Sequence, residues 1–332
     1  MKKIILGIII LMSISCNEKS VVEFSLKGTT NEIEDGTVVY LENHLTKELI
    51  DSVSIQNNSF NFKTKLAETP LQVILRTKDF SEYRFIWLEN SPMIFDARKS
   101  EFRHANITGS KSENLSQALD RETDTLPRKE KLIKEMAFVE NNPNSIVSAN
   151  LLSVYSTTWG KEKTKELFDQ FSKKNKNSEY GNRIANYIEL NKEPKIGDEF
   201  LDFEMMDNND NPKKLSEVKG KTILLEFWSS WCGPCRIENP NLVKTYEKFN
   251  PKGFEIFAVS LDVNKESWIK AIEQDNLNWR HVSDLKGQQN KASLIYGING
   301  IPDNFLITEN GIIIGRNLRG EKLNEILNDL LE

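Results

Sequence analysis

Two cysteines stand three positions apart in "EFWSSWCGPCRIENP", Glu226 to Pro240, in a chain that has only one other cysteine. A Cys-x-x-Cys pair offers three chemistries: half of a zinc site, a small structural disulfide, or a dithiol that alternates between thiol and disulfide. Zinc calls for about four ligands. No second cysteine pair follows, and the three histidines, His44, His104 and His281, are isolated from one another. A purely structural bridge across so short a loop would constrain the unfolded chain little, because that entropic benefit grows with loop length. A working dithiol needs one thing more, a place in which a thiolate is stabilised.

The neighbouring elements offer that place. Thr222 to Trp228 reads as a buried strand and Cys232 to Phe249 as a helix. Cys232 then sits where unpaired backbone N–H groups and the helix dipole favour negative charge, which predicts a reactive sulfur exposed at the helix tip. Cys235 shares its helical face, and Pro234 is tolerated because the first turn has no intrahelical acceptors. Pro240 is expected to bend the helix. The next elements alternate: a strand at Phe254 to Asp262, a helix at Lys265 to Gln274, a loop with Trp279 to Val282, and a short helix near Asn290 to Tyr296. Strands follow at Asn304 to Ile307 and Ile312 to Asn317, joined through Asn310-Gly311, and a last helix starts at Glu321. Such alternation predicts an α/β sheet covered on both faces.

Several side chains carry two readings each. Glu226 is a buried carboxylate with a raised pKa, or a strand-end glutamate paired with a lysine. Glu238, one turn after Cys235, shares the cysteine face or is simply solvated. Arg236 supports the thiolate or points to water. Trp231 is expected as a contact surface beside Cys232, and Trp228 as core.

Together these residues reach a family. "WCGPC" resembles the thioredoxin active site, and "YGINGIPDNFLITENG", Tyr296 to Gly311, resembles the second thioredoxin signature, in which a cis-proline faces the cysteines. The "GDEFLDFEMMD" lead-in and "CRIENP" are similar to the exported TlpA/ResA-like branch. Peroxiredoxins share the lead-in, but their Pro-x-x-x-Thr-x-x-Cys pattern meets Leu225 and Ser229 here. The resemblance implies a thioredoxin-like α/β fold over residues 193–332 and a thiol-disulfide oxidoreductase. Cys232 and Cys235 would form its redox-active disulfide, and Glu226 would relay a proton to Cys235. Glu238 would tune the cysteines and contribute to recognition. A cis Ile301–Pro302 bond would let Ile301 pair with the substrate backbone beside Trp231. Thioredoxin has threonine where this chain has Asp303, so its substrate preference is not carried across. The Gly233-Pro234 pair matches thioredoxin itself and implies a reductase of protein disulfides, with cytochrome c-type biogenesis as its associated process. An oxidase or isomerase, and a binding module with a redox-sensitive dock, are the alternatives. No metal or cofactor is expected, since nothing here binds NAD or flavin, so a membrane thiol carrier would supply electrons.

The rest of the 332 residues sets these elements in context. "MKKIILGIIILMSISC" has a cationic start and an apolar stretch too short to span a bilayer, which reads as a secretory signal over residues 1–15. It resembles a bacterial lipobox, which implies a lipid anchor on Cys16 and a place on the periplasmic side of the cell envelope. A cut at another residue or an uncleaved anchor stays open. Residues 16–110 alternate apolar with polar and predict a β-sandwich-like domain, and residues 111–192 predict a helical connector. "DGTVVYLEN...IDSVSIQNNSFNF" resembles the domain of unknown function that precedes thioredoxin domains in Bacteroidetes-type lipoproteins. A net charge of −5 with no basic stripe gives no sign of a nucleic-acid partner.

Overall fold

Strict alternation of apolar and polar side chains builds the first unit. The computed structural model describes residues 24–218 and 221–331, so the expected signal and Cys16 lie outside the described residues. Eight strands come first: β1 (Ser25–Thr29), β2 (Val38–Asn43), β3 (Leu49–Ser54), β4 (Ser59–Phe62), β5 (Leu71–Thr77), β6 (Tyr83–Leu88), β7 (Pro92–Asp96) and β8 (Asn106–Thr108). They form two four-stranded sheets, ordered β4-β1-β7-β8 and β3-β2-β5-β6. Every second residue turns inward, so Leu26, Phe62 and Phe95 of one sheet meet Val39, Leu41, Leu75 and Ile86 of the other in a single core. This is the expected sandwich. Asn57 and Asn58, both at positive φ, make the turn between β3 and β4.

The helical connector expected over 111–192 is divided by its packing. Its first helix, α1 (Lys111–Thr123), belongs with the sandwich, and the compact unit ends at Leu126. The reason is polar rather than apolar: the buried Glu113 carboxylate accepts the Trp87 N–H at 2.9 Å and faces Arg84 at 3.6 Å. Gln117 also exchanges two hydrogen bonds with the Ile107 backbone, at 2.7 and 3.2 Å.

From Pro127 onward the chain forms the second unit. It opens with α2 (Arg128–Asn141), α3 (Ile146–Trp159), α4 (Lys161–Asp169), α5 (Lys173–Lys176) and α6 (Glu179–Leu190). Ser145, Ser172 and Ser178 cap three of these starts by accepting N–H groups of the first turn. The sheet follows: β9 (Glu204–Asp207), β10 (Pro212–Lys214), β11 (Thr222–Trp228), α7 (Gly233–Phe249), β12 (Phe254–Ser260), α8 (Lys265–Gln274), β13 (Arg280–Ser283), α9 (Lys291–Tyr296), β14 (Asp303–Ile307), β15 (Ile313–Arg316) and α10 (Gly320–Leu331). Its strand order is β10-β9-β13-β12-β11-β14-β15, with β11 parallel to β12 and antiparallel to β14. This is the α/β architecture that the thioredoxin resemblance implies. Trp279 to Val282, expected as a loop, gives most of its length to β13, which pairs with the open edge of β12. The β9–β10 hairpin is a further difference; its short strands carry too little alternation to be read in advance.

All seven residues of β11 are buried, because helices cover both faces. Ile223, Leu225 and Phe227 enter a cluster with Tyr296 of α9 and Phe305. Leu224 and Trp228 enter the opposite one, with Leu242 of α7, Trp268 of α8 and Leu323 of α10. The two-residue period therefore places Glu226 on the second face, the one that holds both cysteines. Phe227 touches Tyr296 and Phe305 with ring centroids 5.8 and 6.5 Å apart. Phe227→Ala should cost about 3–5 kcal/mol in urea unfolding of the second unit. A loss below about 1 kcal/mol would show that this face can be thinned without a cavity.

Candidate active site

The start of α7 is capped by a sulfur. Cys232 holds extended backbone, φ −80° and ψ 98°, and its Sγ accepts the Cys235 N–H at 3.2 Å. Both cysteines are joined as a disulfide, with Cα atoms 5.2 Å apart. When the bond opens, negative charge on the Cys232 sulfur faces this N–H and the positive end of the helix dipole.

The loop leading into the cap is held from outside its own strand. Beyond β12, the buried Asp262 carboxylate accepts the Ser230 N–H at 2.9 Å, the Ser230 hydroxyl at 2.5 Å and the Ser260 hydroxyl at 2.6 Å. Nothing in the sequence reading singled out Asp262. The one available signal was Ser260-x-Asp262 at the end of an apolar strand. Arg236 joins the same structure: it donates to the Ser230 carbonyl at 3.1 Å and clamps Asp275 through two nitrogens, one of them at 2.8 Å. Asp275 also receives Asn239 at 2.7 Å. Arg236 does not simply point to water, since its guanidinium is fixed between α7 and the end of α8.

Cys232 is not exposed at the helix tip as expected. In the disulfide form it is 4% exposed and Cys235 1%, both within the apolar cluster of Leu242, Trp228 and Ile256. Trp231, by contrast, is 65% exposed, and Gly233 and Pro234 are open to solvent. A partner therefore meets this rim before it meets sulfur. Trp228 is core. The opposite rim is the loop ahead of β14, where the Ile301–Pro302 bond is cis and Ile301 packs against both apolar clusters. Arg319 donates to the Pro302 carbonyl. Asp303, at the position where thioredoxin has threonine, is buried and ion-paired with Arg316 at 2.6 Å.

Glu226 is 4% exposed, and its Oε2 has no hydrogen-bond partner. Burial pushes its carboxyl up to about 8. The Asn304 side chain across the strand pair and the Arg319 charge oppose that rise, while Asp303 and Glu238 add to it. The lysine-paired alternative does not apply here. Arg319 is thus a second residue that sequence reasoning missed, touching the cis-proline loop and acting on Glu226 at once.

Glu238 is drawn elsewhere. Its Oε1 accepts the Gly320 N–H at 3.1 Å, capping α10, and its Oε2 accepts Asn241 at 3.0 Å. Glu238 thus has a structural part as well, because the orphan N–H at the start of α10 lies within its reach. His281 is buried, neutral and held to the Leu277 carbonyl at 3.1 Å, its pKa lowered by burial to about 3. Among the described residues no group of three or more His, Cys, Asp or Glu is placed to hold a metal ion.

The chain is similar to known proteins in both units. The model of the AhpC/TSA family matches residues 196–316, and that of a domain of unknown function (DUF4369) matches residues 24–115. The chain is 31% identical over 146 residues to the thiol-disulfide oxidoreductase ResA of Bacillus cereus, which spans 44% of this chain and 82% of that protein. It is 30% identical over 154 residues to ResA of Oceanobacillus iheyensis, covering 44% of this chain and 79% of that one. Among solved structures, the thioredoxin domain of a thiol-disulfide oxidoreductase from Bacteroides vulgatus is 34% identical, with a TM-score of 0.40, over 42% of this chain and 99% of that one.

The buried carboxyl has a measurable consequence. With a folded pKa near 8 against the usual 4.5, Glu226 keeps its proton in the folded state at pH values where the unfolded chain has lost it. The stability contribution of this site is therefore full below the lower value, falls as pH rises between the two, and levels off above the upper one. Glu226→Gln should flatten that decline in urea unfolding between about pH 5 and 8. An unchanged slope would place the charge in water.

Proposed function

Because this chain belongs to the thiol-disulfide oxidoreductases of the ResA family, we propose that it reduces protein disulfides with the Cys232–Cys235 dithiol, held by a lipid on Cys16 at the periplasmic face of a membrane. The observation that carries this reading is the sulfur cap of α7, with Glu226 on the same sheet face. The Cys232 thiolate attacks one sulfur of the client disulfide, forming a mixed disulfide and releasing the other client sulfur as a thiolate that takes up a proton. Cys235 then gives its proton to Glu226 in its ionised form, a minor fraction at neutral pH with a pKa of about 8, and attacks the Cys232 sulfur, and Glu226 hands the proton on to the departing client sulfur. The second client thiolate leaves, and two electrons have passed from enzyme to client. A carboxyl with a pKa near that of a thiol suits this proton exchange. Trp231, Ile301 and Pro302 form the rim on which the client settles.

A membrane thiol carrier reopens the Cys232–Cys235 bond, and cytochrome c-type biogenesis is the process to which the resemblance points. Among the described residues no helix is long and apolar enough to cross a membrane, so tethering rests on the segment ending at Cys16.

In a purified system fed with reductant, the wild-type protein should reduce the interchain disulfides of insulin, and Cys232→Ser should abolish turnover. Cys235→Ser should leave clients covalently attached to Cys232, visible as reductant-sensitive adducts on a gel. Wild-type inactivity would favour a redox-sensitive dock, and a strongly oxidising potential would favour an oxidase or isomerase.

A further inference from the structure

One wall of the redox site comes from outside the fold that carries the cysteines. The end of α3 lies beside the cis-proline loop: the Thr158 hydroxyl donates to Asn299 Oδ1 at 2.7 Å, and that of Thr157 at 3.4 Å. Asn191, just after α6, donates to the Leu294 carbonyl at 3.0 Å, and the N–H groups of Lys192 and Glu193 donate to the Ile295 carbonyl at 3.0 and 3.1 Å. These bonds fasten the helical segment to α9 and to the loop after it that bears Ile301 and Pro302. Between the two lies a cleft of about 380 Å³, with Trp231 and Ile301 on one side, Val154 and Tyr155 of α3 on the other, and Arg128 at the start of α2.

The geometry points to this cleft as the seat for the stretch of client polypeptide that flanks the disulfide being exchanged. This rests on the oxidoreductase reading above, and four observations support it. The cleft is continuous with the rim of the redox site through Trp231 and Ile301. The sulfurs themselves are recessed, so a partner must be held by what surrounds them. Its lining mixes exposed apolar surface, Val154 at 51% and Trp231 at 65%, with hydroxyl and amide groups, a composition that suits an extended backbone carrying an apolar side chain. Among the described residues Arg128 is the one charged side chain in that lining, so the segment it accepts is uncharged or acidic and a lysine beside the client cysteine is disfavoured. Residues 128–158 fall between the stretches 24–115 and 196–316 that the two family models match, so this wall adds selectivity to a chemistry that does not depend on it.

The test compares kcat/KM for a disulfide-bonded polypeptide, insulin, with that for the small molecule hydroxyethyl disulfide, in the full chain. Val154→Arg should lower the polypeptide-to-small-molecule ratio about tenfold or more. The ratio discounts any general loss of folding or dithiol activity. Arg128→Glu should shift the preference between two synthetic disulfide peptides, one with glutamate and one with lysine beside the cysteine, at least about threefold toward lysine. Ratios unchanged in both variants would overturn the cleft as a client seat. Failure of the wild-type protein to reduce hydroxyethyl disulfide would overturn the underlying activity, and the proposal with it.

Discussion

The hydrogen bond from the Cys235 N–H to the Cys232 sulfur joins covalent chemistry to the folding of a helix. A helix start leaves backbone donors without partners, and an oxygen-bearing side chain ordinarily takes them. Here sulfur does so, which means that the group to be activated is also a group the helix needs. Much of the second unit serves to keep that sulfur in position. Asp262 fixes the incoming loop from the end of β12, Arg236 and Asp275 fix the first turn of α7 from the end of α8, and the buried strand β11 brings Glu226 to the same face.

The polar residues around this point divide by whether the fold has already claimed them. Glu238 and Arg236 share the helix with the cysteines, and helical spacing made them candidates. Both are bonded to neighbouring backbone and side chains, Gly320 and Asp275. Asp303 is likewise held by Arg316. Glu226 differs from these three in having one buried oxygen, Oε2, without a hydrogen-bond partner. Leaving such a group unpaired is costly, and buried carboxyls with raised pKa gather at functional sites.

Helical residues between the sandwich and the sheet follow a similar logic. Composition made 111–192 look like a single connector, yet α1 is bound to the first unit by Glu113 and Gln117, while the segment from α2 onward is bound to the second through Thr158, Asn191 and the backbone after it. Hydrogen bonds to distant partners, rather than helical character, decide where each helix belongs.

Local pattern was enough for the elements that matter most. The buried strand at Thr222 to Trp228 and the helix at Lys265 to Gln274 appear with the expected limits, and the cis bond before Pro302 is the one the family resemblance implied. The dithiol spacing stands in the sequence itself, the exposure of Trp231 and the burial of Trp228 follow general tendencies of the residue type, and the inward Glu226 was what the thioredoxin resemblance implied. What tertiary structure alone decided are the matters that depend on who sits across from whom: the recession of Cys232 under its apolar neighbours, the attachment of Glu238 to α10, the pairing of β13 with β12, and the appearance of Asp262 and Arg319 beside the site. A single chain states its periods residue by residue, but partners tens of residues apart become neighbours only when the sheet closes and the helices cover it.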